Sequence, residues 1–93
     1  MKPPGNFSGG PVTVGTSAVV VVSGMSTSIL IQADHANTGT IYIGASNVAS
    51  DGSNAVCRLE PGESISMDYN AMMNPIYAVA TTSGQKVYVM RIY

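Results

Sequence analysis

Turn-forming residues recur roughly every eight to twelve positions in this sequence, so only short runs remain between them. Those runs are β-branched or alternating. Val12-Thr13-Val14 stops at Gly15, and Ser17 to Ser23 holds four consecutive valines whose branching at Cβ disfavours helix. From Ser28 to His35, Ile29, Ile31 and Ala33 face one way and Ser28, Gln32 and Asp34 the other, with Leu30 breaking the polar face. Asn37-Thr38-Gly39 is turn chemistry, and Thr40 to Gly44 follows with Ile41 and Ile43 on one side of Tyr42. Ser46 to Asn54 reads as a polar loop, and Ala55 to Leu59 resumes a strand. Glu60-Pro61-Gly62-Glu63 is a tight turn of hairpin type, because Pro presets φ at its second position and Gly accepts a positive φ at its third. Ile65 and Met67 then alternate with Ser64, Ser66 and Asp68. A second loop, Asn70 to Asn74, has room for one helical turn at Ala71-Met72-Met73. Pro75 to Thr82 and Lys86 to Tyr93 are expected to close the chain as a hairpin around Ser83-Gly84-Gln85.

The pattern predicts an all-β fold, a small antiparallel β-sandwich or jelly-roll-like domain of about eight short strands. The domain is expected over residues 12–93, with residues 1–11 as an extended N-terminal arm. That segment holds three of the five prolines and three of the ten glycines, a composition unsuited to helix or central strand. The arm is either a frayed terminus or a segment that lies on a neighbouring subunit with Phe7, the only phenylalanine, as its anchor. On the second reading, deletion of Met1 to Gly10 would weaken attachment to a partner more than folding, because the arm contributes little to the core.

Charge narrows the partners. Only 10% of the residues are charged, against roughly 25% in an average domain. Four Lys+Arg against five Asp+Glu leave a formal charge of -1, which offers no footprint for a nucleic-acid backbone. No membrane partner is expected either: the longest apolar run, Ala18 to Val22, is far short of a spanning helix, and Lys2-Pro3-Pro4-Gly5 lacks the form of a signal peptide. The single cysteine, Cys57, allows no internal disulfide, and with His35 it falls short of a structural zinc site. Oligomerisation is the remaining common route to stability for so small a scaffold.

Tests for chemistry return no site. Asp34 and His35 are adjacent, and adjacent strand residues point to opposite faces, so the carboxylate should not orient the ring. Of the five carboxylates, Glu60 and Glu63 flank the Pro-Gly turn, and Asp51-Gly52-Ser53-Asn54 lacks the repeated ligands of a calcium loop. Cys57 should face inward with Ala55 and Leu59, buried and inert. Gly9-Gly10 opens no helix, so it makes no phosphate cradle. The expectation is a non-enzyme with no catalytic residue, cofactor or metal.

The last two strands carry the functional signal. Val87 and Val89 lie on one face of the final strand, yet Tyr88, Met90 and Ile92 make its other face apolar too. The strand before it has Ile76, Ala78 and Ala80 on one face and Tyr77 and Val79 on the other. Two apolar faces mean either a central strand covered on both sides or a strand at a subunit contact, and in a two-layer domain of this size the second is favoured. The candidate contact residues are Phe7, Pro11, Tyr77, Val79, Tyr88, Met90, Ile92 and Tyr93.

The order of Val12-Thr13-Val14-Gly15, Ile29-Leu30-Ile31-Gln32, Thr40-Ile41-Tyr42-Ile43-Gly44, Leu59-Glu60-Pro61-Gly62-Glu63-Ser64, Ile76-Tyr77-Ala78-Val79-Ala80 and Val87-Tyr88-Val89 resembles that of small tailed-bacteriophage virion proteins of the capsid decoration, cement or head-fibre type. The resemblance spans residues 11–93. It implies a homo-oligomer, a trimer above other states, that bridges major capsid protein subunits and stabilises the head. It also implies synthesis in the host cytoplasm and a final place on the capsid surface. The alternative it leaves open is a receptor- or glycan-binding module of a tail or head fibre, with Tyr42 or Tyr69 and the Asp51 loop forming a pocket.

Overall fold

The computed structural model describes residues 7–23, 28–68 and 75–92. It is all-β: β1 (Phe7–Val14), β2 (Val19–Val22), β3 (Ser28–Ala33), β4 (Ile41–Gly44), β5 (Ala55–Leu59), β6 (Ser64–Asp68), β7 (Ile76–Ala80) and β8 (Gln85–Ile92). The strands form two four-stranded sheets, β1-β8-β3-β6 and β2-β7-β4-β5. Each strand of the first half pairs antiparallel with its mirror in the second: β1 with β8, β2 with β7, β3 with β6, and β4 with β5. The chain is therefore one ribbon, bent back at β4–β5 and wound so that β3 also meets β8 and β4 meets β7. This is the jelly-roll winding of a two-sheet sandwich.

Period-2 alternation fills the space between the sheets. Val14, Ile29, Ile31, Val87 and Val89 point inward from the first sheet, and Val22, Ile41, Ile43, Leu59 and Ile76 from the second. Ala33, Ala78 and Ala80 supply the small positions that let these branched side chains interdigitate.

Two expected hairpins are not hairpins. β7 and β8 lie in different sheets, as do β5 and β6, so the turns at 81–84 and 60–63 are corners that carry the chain between layers. The Glu60–Glu63 turn itself forms as expected, with Gly62 at φ 86° and the Glu63 amide donating to the Glu60 carbonyl at 2.9 Å. Local turn geometry did not determine which strands pair. Among the described residues the only hairpin between consecutive strands spans the longest described loop, 45–54.

The arm boundary also moves. Phe7 to Pro11 belong to β1 and pair with β8 in unbroken register, so the domain begins at least at Phe7 and a deletion through Gly10 would strip half of an edge strand. Glycine is what permits this approach. Gly9 has φ 142°, and a β-carbon there would fall on the Val89 carbonyl oxygen. Residues 1–6, the expected helical turn at Ala71-Met72-Met73, and Tyr93 lie outside the described residues.

The β3–β4 connection is fastened to the start of β8 by side chains remote in sequence. Gln85, the one buried polar residue among those described, accepts from the Thr38 and Gly39 amides at 2.8 and 3.0 Å through Oε1. Its Nε2 donates to the Ser83 carbonyl at 3.1 Å. Asn37 copies a strand residue, its side-chain amide exchanging two 2.9 Å bonds with the backbone of Lys86.

Two stability measurements check this account. Gly9→Ala is expected to lower unfolding free energy in urea by about 1–3 kcal/mol through backbone strain. Gly15→Ala, where a β-carbon meets nothing within 4 Å, should leave it nearly unchanged. Separately, Gln85→Leu strands the two amide donors of the 37–39 turn and is expected to cost about 1–3 kcal/mol.

Candidate interaction surface

β8 lies between β1 and β3, so pairing occupies both its edges and the core takes one face. Val87 and Val89 fill that face, which leaves Tyr88 and Met90 on the outside, 42% and 38% exposed. Register sets their neighbours. Tyr88 lies between Pro11 and Gln32, and Met90 between Gly9 and Leu30. Ile92 lies between Phe7 and Ser28. Directly opposed residues on one face are about 4.5–5.5 Å apart at Cβ, so Pro11, Tyr88, Met90 and Leu30 form one continuous apolar strip. Gly9 carries no side chain, so nothing from β1 covers Met90. Beyond Leu30 the strip ends at exposed Ser64 and Ser66 on β6.

Most of the predicted contact residues thus meet on this face: Pro11, Tyr88, Met90 and Ile92, with Phe7 paired to Ile92 through its backbone. Leu30 belongs to it as well and was missing from the candidates. Its signal was already present, as the one apolar residue on the polar face of its strand.

The other two described candidates, Tyr77 and Val79, lie on the outer face of the opposite sheet. Val79 is 0% exposed, which removes it as a contact residue. The 45–54 loop folds back over the neighbouring part of this sheet. Val48 is buried against Gly44, where a β-carbon would come within 3.2 Å of its Cγ2. A β-carbon on Gly52 would come within 3.2 Å of the Tyr42 ring, and Tyr42 is the cross-strand neighbour of Val79. Tyr77 is half-buried and lines a hollow of about 300 Å³ with Ala45, Ser46 and Pro75.

The loop holds its own shape. Asp51 Oδ1 accepts from the Ser53 amide at 2.9 Å, and Ser53, through its backbone and then its side chain, draws the Asp51 carboxyl below its ordinary pKa. Asn54 donates from Nδ2 to the Asn47 carbonyl at 3.1 Å. Asp51-Gly52 is therefore a self-satisfied turn. Of the residues in the alternative reading, Tyr42 is half-buried with the Asp51 loop against its ring, and Tyr69 lies outside the described residues.

Asp34 and His35 correct a sequence argument. β3 ends at Ala33, so strand alternation no longer applies and Asp34 Oδ1 comes to 3.5 Å from His35 Nδ1. The same oxygen accepts from the Ala36 amide at 3.1 Å, so it shapes the turn. The His35 side chain is 92% exposed. Cys57 faces inward as expected but is only half-buried, because β5 is an edge strand. Burial pushes its thiol pKa up. Among the described residues no three His, Cys, Asp or Glu side chains converge to hold a metal.

Along the opposite margin, between β1 and β2, a groove of about 320 Å³ includes Pro11, Val20 and Ser23. Arg91 crosses it and donates to the Ser23 carbonyl at 2.6 Å. Compared with known proteins, the chain matches no family model, no curated sequence and no solved structure.

The position of Cys57 has a measurable consequence. A raised thiol pKa leaves less of the reactive thiolate at a given pH. Alkylation of the folded protein at about pH 8 is expected to run several-fold slower than in urea, where the burial is lost. Equal rates in the two states would contradict the inward placement.

Proposed function

We propose that this chain is a tailed-phage virion structural protein, a capsid decoration or cement protein whose copies associate and bridge major capsid subunits. The observation that carries this reading is the Pro11–Tyr88–Met90–Leu30 strip on the middle of a sheet, exposed at Pro11, Tyr88 and Met90 and half-buried at Leu30. Tyrosine and methionine suit such a surface: the one joins an apolar ring to a hydrogen-bonding tip, and the other adapts its shape to a partner. Winding adds support by analogy only, since viral capsid domains are among the users of the jelly roll. Low charge fits a surface that must approach many copies of a neighbour without repulsion.

The proposed mechanism is additive. One strip offers a modest contact, and an oligomer engages several capsid subunits at once, so weak contacts become effectively tight. The area buried across the joints between capsid subunits opposes the pressure of packaged DNA. This reading assigns the chain no catalytic step, cofactor or metal, and no nucleic-acid or membrane partner. Its place is the outer surface of the capsid. The alternative is a receptor- or glycan-binding module of a phage fibre, for which the hollow beside Tyr77 adds a second candidate pocket to Tyr42 and the Asp51 loop.

Mass spectrometry of purified virions tests the role directly. Decoration predicts copies in proportion to the major capsid protein, whereas a few copies per particle would favour the fibre alternative. Absence from particles would overturn both. Met90→Lys is expected to weaken capsid binding at least about tenfold, or roughly 1.4 kcal/mol, by placing a charge in the strip. Its melting temperature should barely change, because Met90 is outside the core.

A further inference from the structure

The two sheets have four edge strands, and three of them are guarded. β1 contains Pro11, which within a paired strand must aim its hydrogen-free nitrogen away from β8 and towards the edge. β2 shifts register between Val20 and Val22, and β5 carries Val56 as an extra residue where Ile43–Cys57 pairing steps to Gly44–Ala55. β6 has neither proline nor bulge, and its one charge, Asp68, stands at its end. Ser64 to Asp68 run in unbroken register against β3, without proline, glycine, lysine or bulge.

The hydrogen-bond phase of β6 follows from its neighbour. Ala33 donates its amide to the Glu63 carbonyl at 2.8 Å and accepts from the Gly62 amide at 3.1 Å, so its backbone faces β6. Asp34 faces the other way and donates to the Lys86 carbonyl at 3.0 Å. Antiparallel ladders alternate, so Ile31 and Ile29 also face β6 and bond to their partners Ile65 and Met67. The amides and carbonyls of Ser64, Ser66 and Asp68 therefore point out of the sheet. Among the described residues no strand pairs with that side.

The exposed edge is self-complementary. Around Ser66 the sequence reads the same in kind in both directions: Ile65 and Met67 flank it, then Ser64 and Asp68. We propose that a second copy of this chain docks on β6 by antiparallel strand pairing about a twofold axis at Ser66. Ser66 then exchanges both backbone bonds with Ser66 of the partner subunit, and Ser64 does so with Asp68 of the partner subunit. Ile65 packs beside Met67 of the partner subunit in the closely spaced, non-bonded position. The pairing covers two half-buried apolar side chains and joins two four-stranded sheets into one. A contact that uses the same patch twice is the isologous kind, closed at two copies.

The contact is small beside the roughly 1,600 Å² of a standard stable interface, so it is expected to be weak and concentration-dependent. It leaves the Tyr88–Met90 strip open and does not depend on the virion reading.

Sedimentation velocity over a range of concentrations tests it, with amide exchange at Ser66 as the second readout. The wild-type chain is expected to move from monomer to dimer as concentration rises, with Ser66 exchange slowing in step. Ser66→Pro removes an edge donor without touching the bonds to β3, and should weaken the dimer at least about tenfold. Ser66→Lys puts two like charges across the twofold axis and should do the same, which covers the case of a proline variant that fails to fold. Tyr88→Ser should dimerise as the wild type does. Strictly monomeric wild type, or fast Ser66 exchange in the dimer, would overturn the proposal. So would an oligomer that survives both Ser66 variants but is lost in Tyr88→Ser, and that last result would place the self-contact on the strip instead.

Discussion

β8 is the strand on which the rest of the molecule depends. It pairs with β1 along one edge and β3 along the other, so it ties together the beginning, middle and end of the chain. Its inner residues, Val87 and Val89, are part of the core, and its first residue, Gln85, satisfies the turn between β3 and β4. With both edges and one face committed, only the outer face remains for contact with anything else. A central strand also holds its side chains on a rigid support, which favours a defined contact surface over a mobile one.

The two doubly apolar strands meet different fates for a reason of connectivity. β7 runs beside β4, and the loop that leaves β4 is long enough to turn back over the sheet. Val48 settles against Gly44, where a larger residue would exclude it, and Val79 is sealed within the chain. No comparable segment crosses the outer face of β8 among the described residues, and Tyr88 and Met90 stay open. The same pattern of residues thus serves as a small second core on one side of the sandwich and as an exposed strip on the other.

Edges complete the picture. The ribbon winding leaves four of them, and proline, register shifts and a bulge make three poor templates for further strands. The exception, β6, borders the sheet that carries the strip. Two copies paired there would set their strips on one continuous surface, so the proposed self-contact and the proposed capsid contact would not compete for residues.

Strands were legible in the sequence because their signals are local. Alternation at Ile29–Ile31–Ala33, the valine run of β2 and the Pro-Gly turn at Glu60–Glu63 each depend on residues close in sequence. The outer face of β8 was legible for the same reason, since period 2 assigns Tyr88, Met90 and Ile92 to one side wherever the strand lies. What the sequence could not supply was the identity of each strand's neighbours. The turns at 60–63 and 81–84 look like hairpins and instead cross between sheets, because pairing is decided by where each apolar face can be buried. Alternation along a strand cannot show that Val79 is buried on its outer side, nor that Leu30 joins the strip, because its register with Met90 links positions sixty residues apart. Composition and periodicity determined that this chain forms a two-layer β domain with too much apolar surface for its size. Tertiary structure alone decided which part of that surface the chain covers and which it leaves exposed, because burial is a property of segments brought together from distant positions.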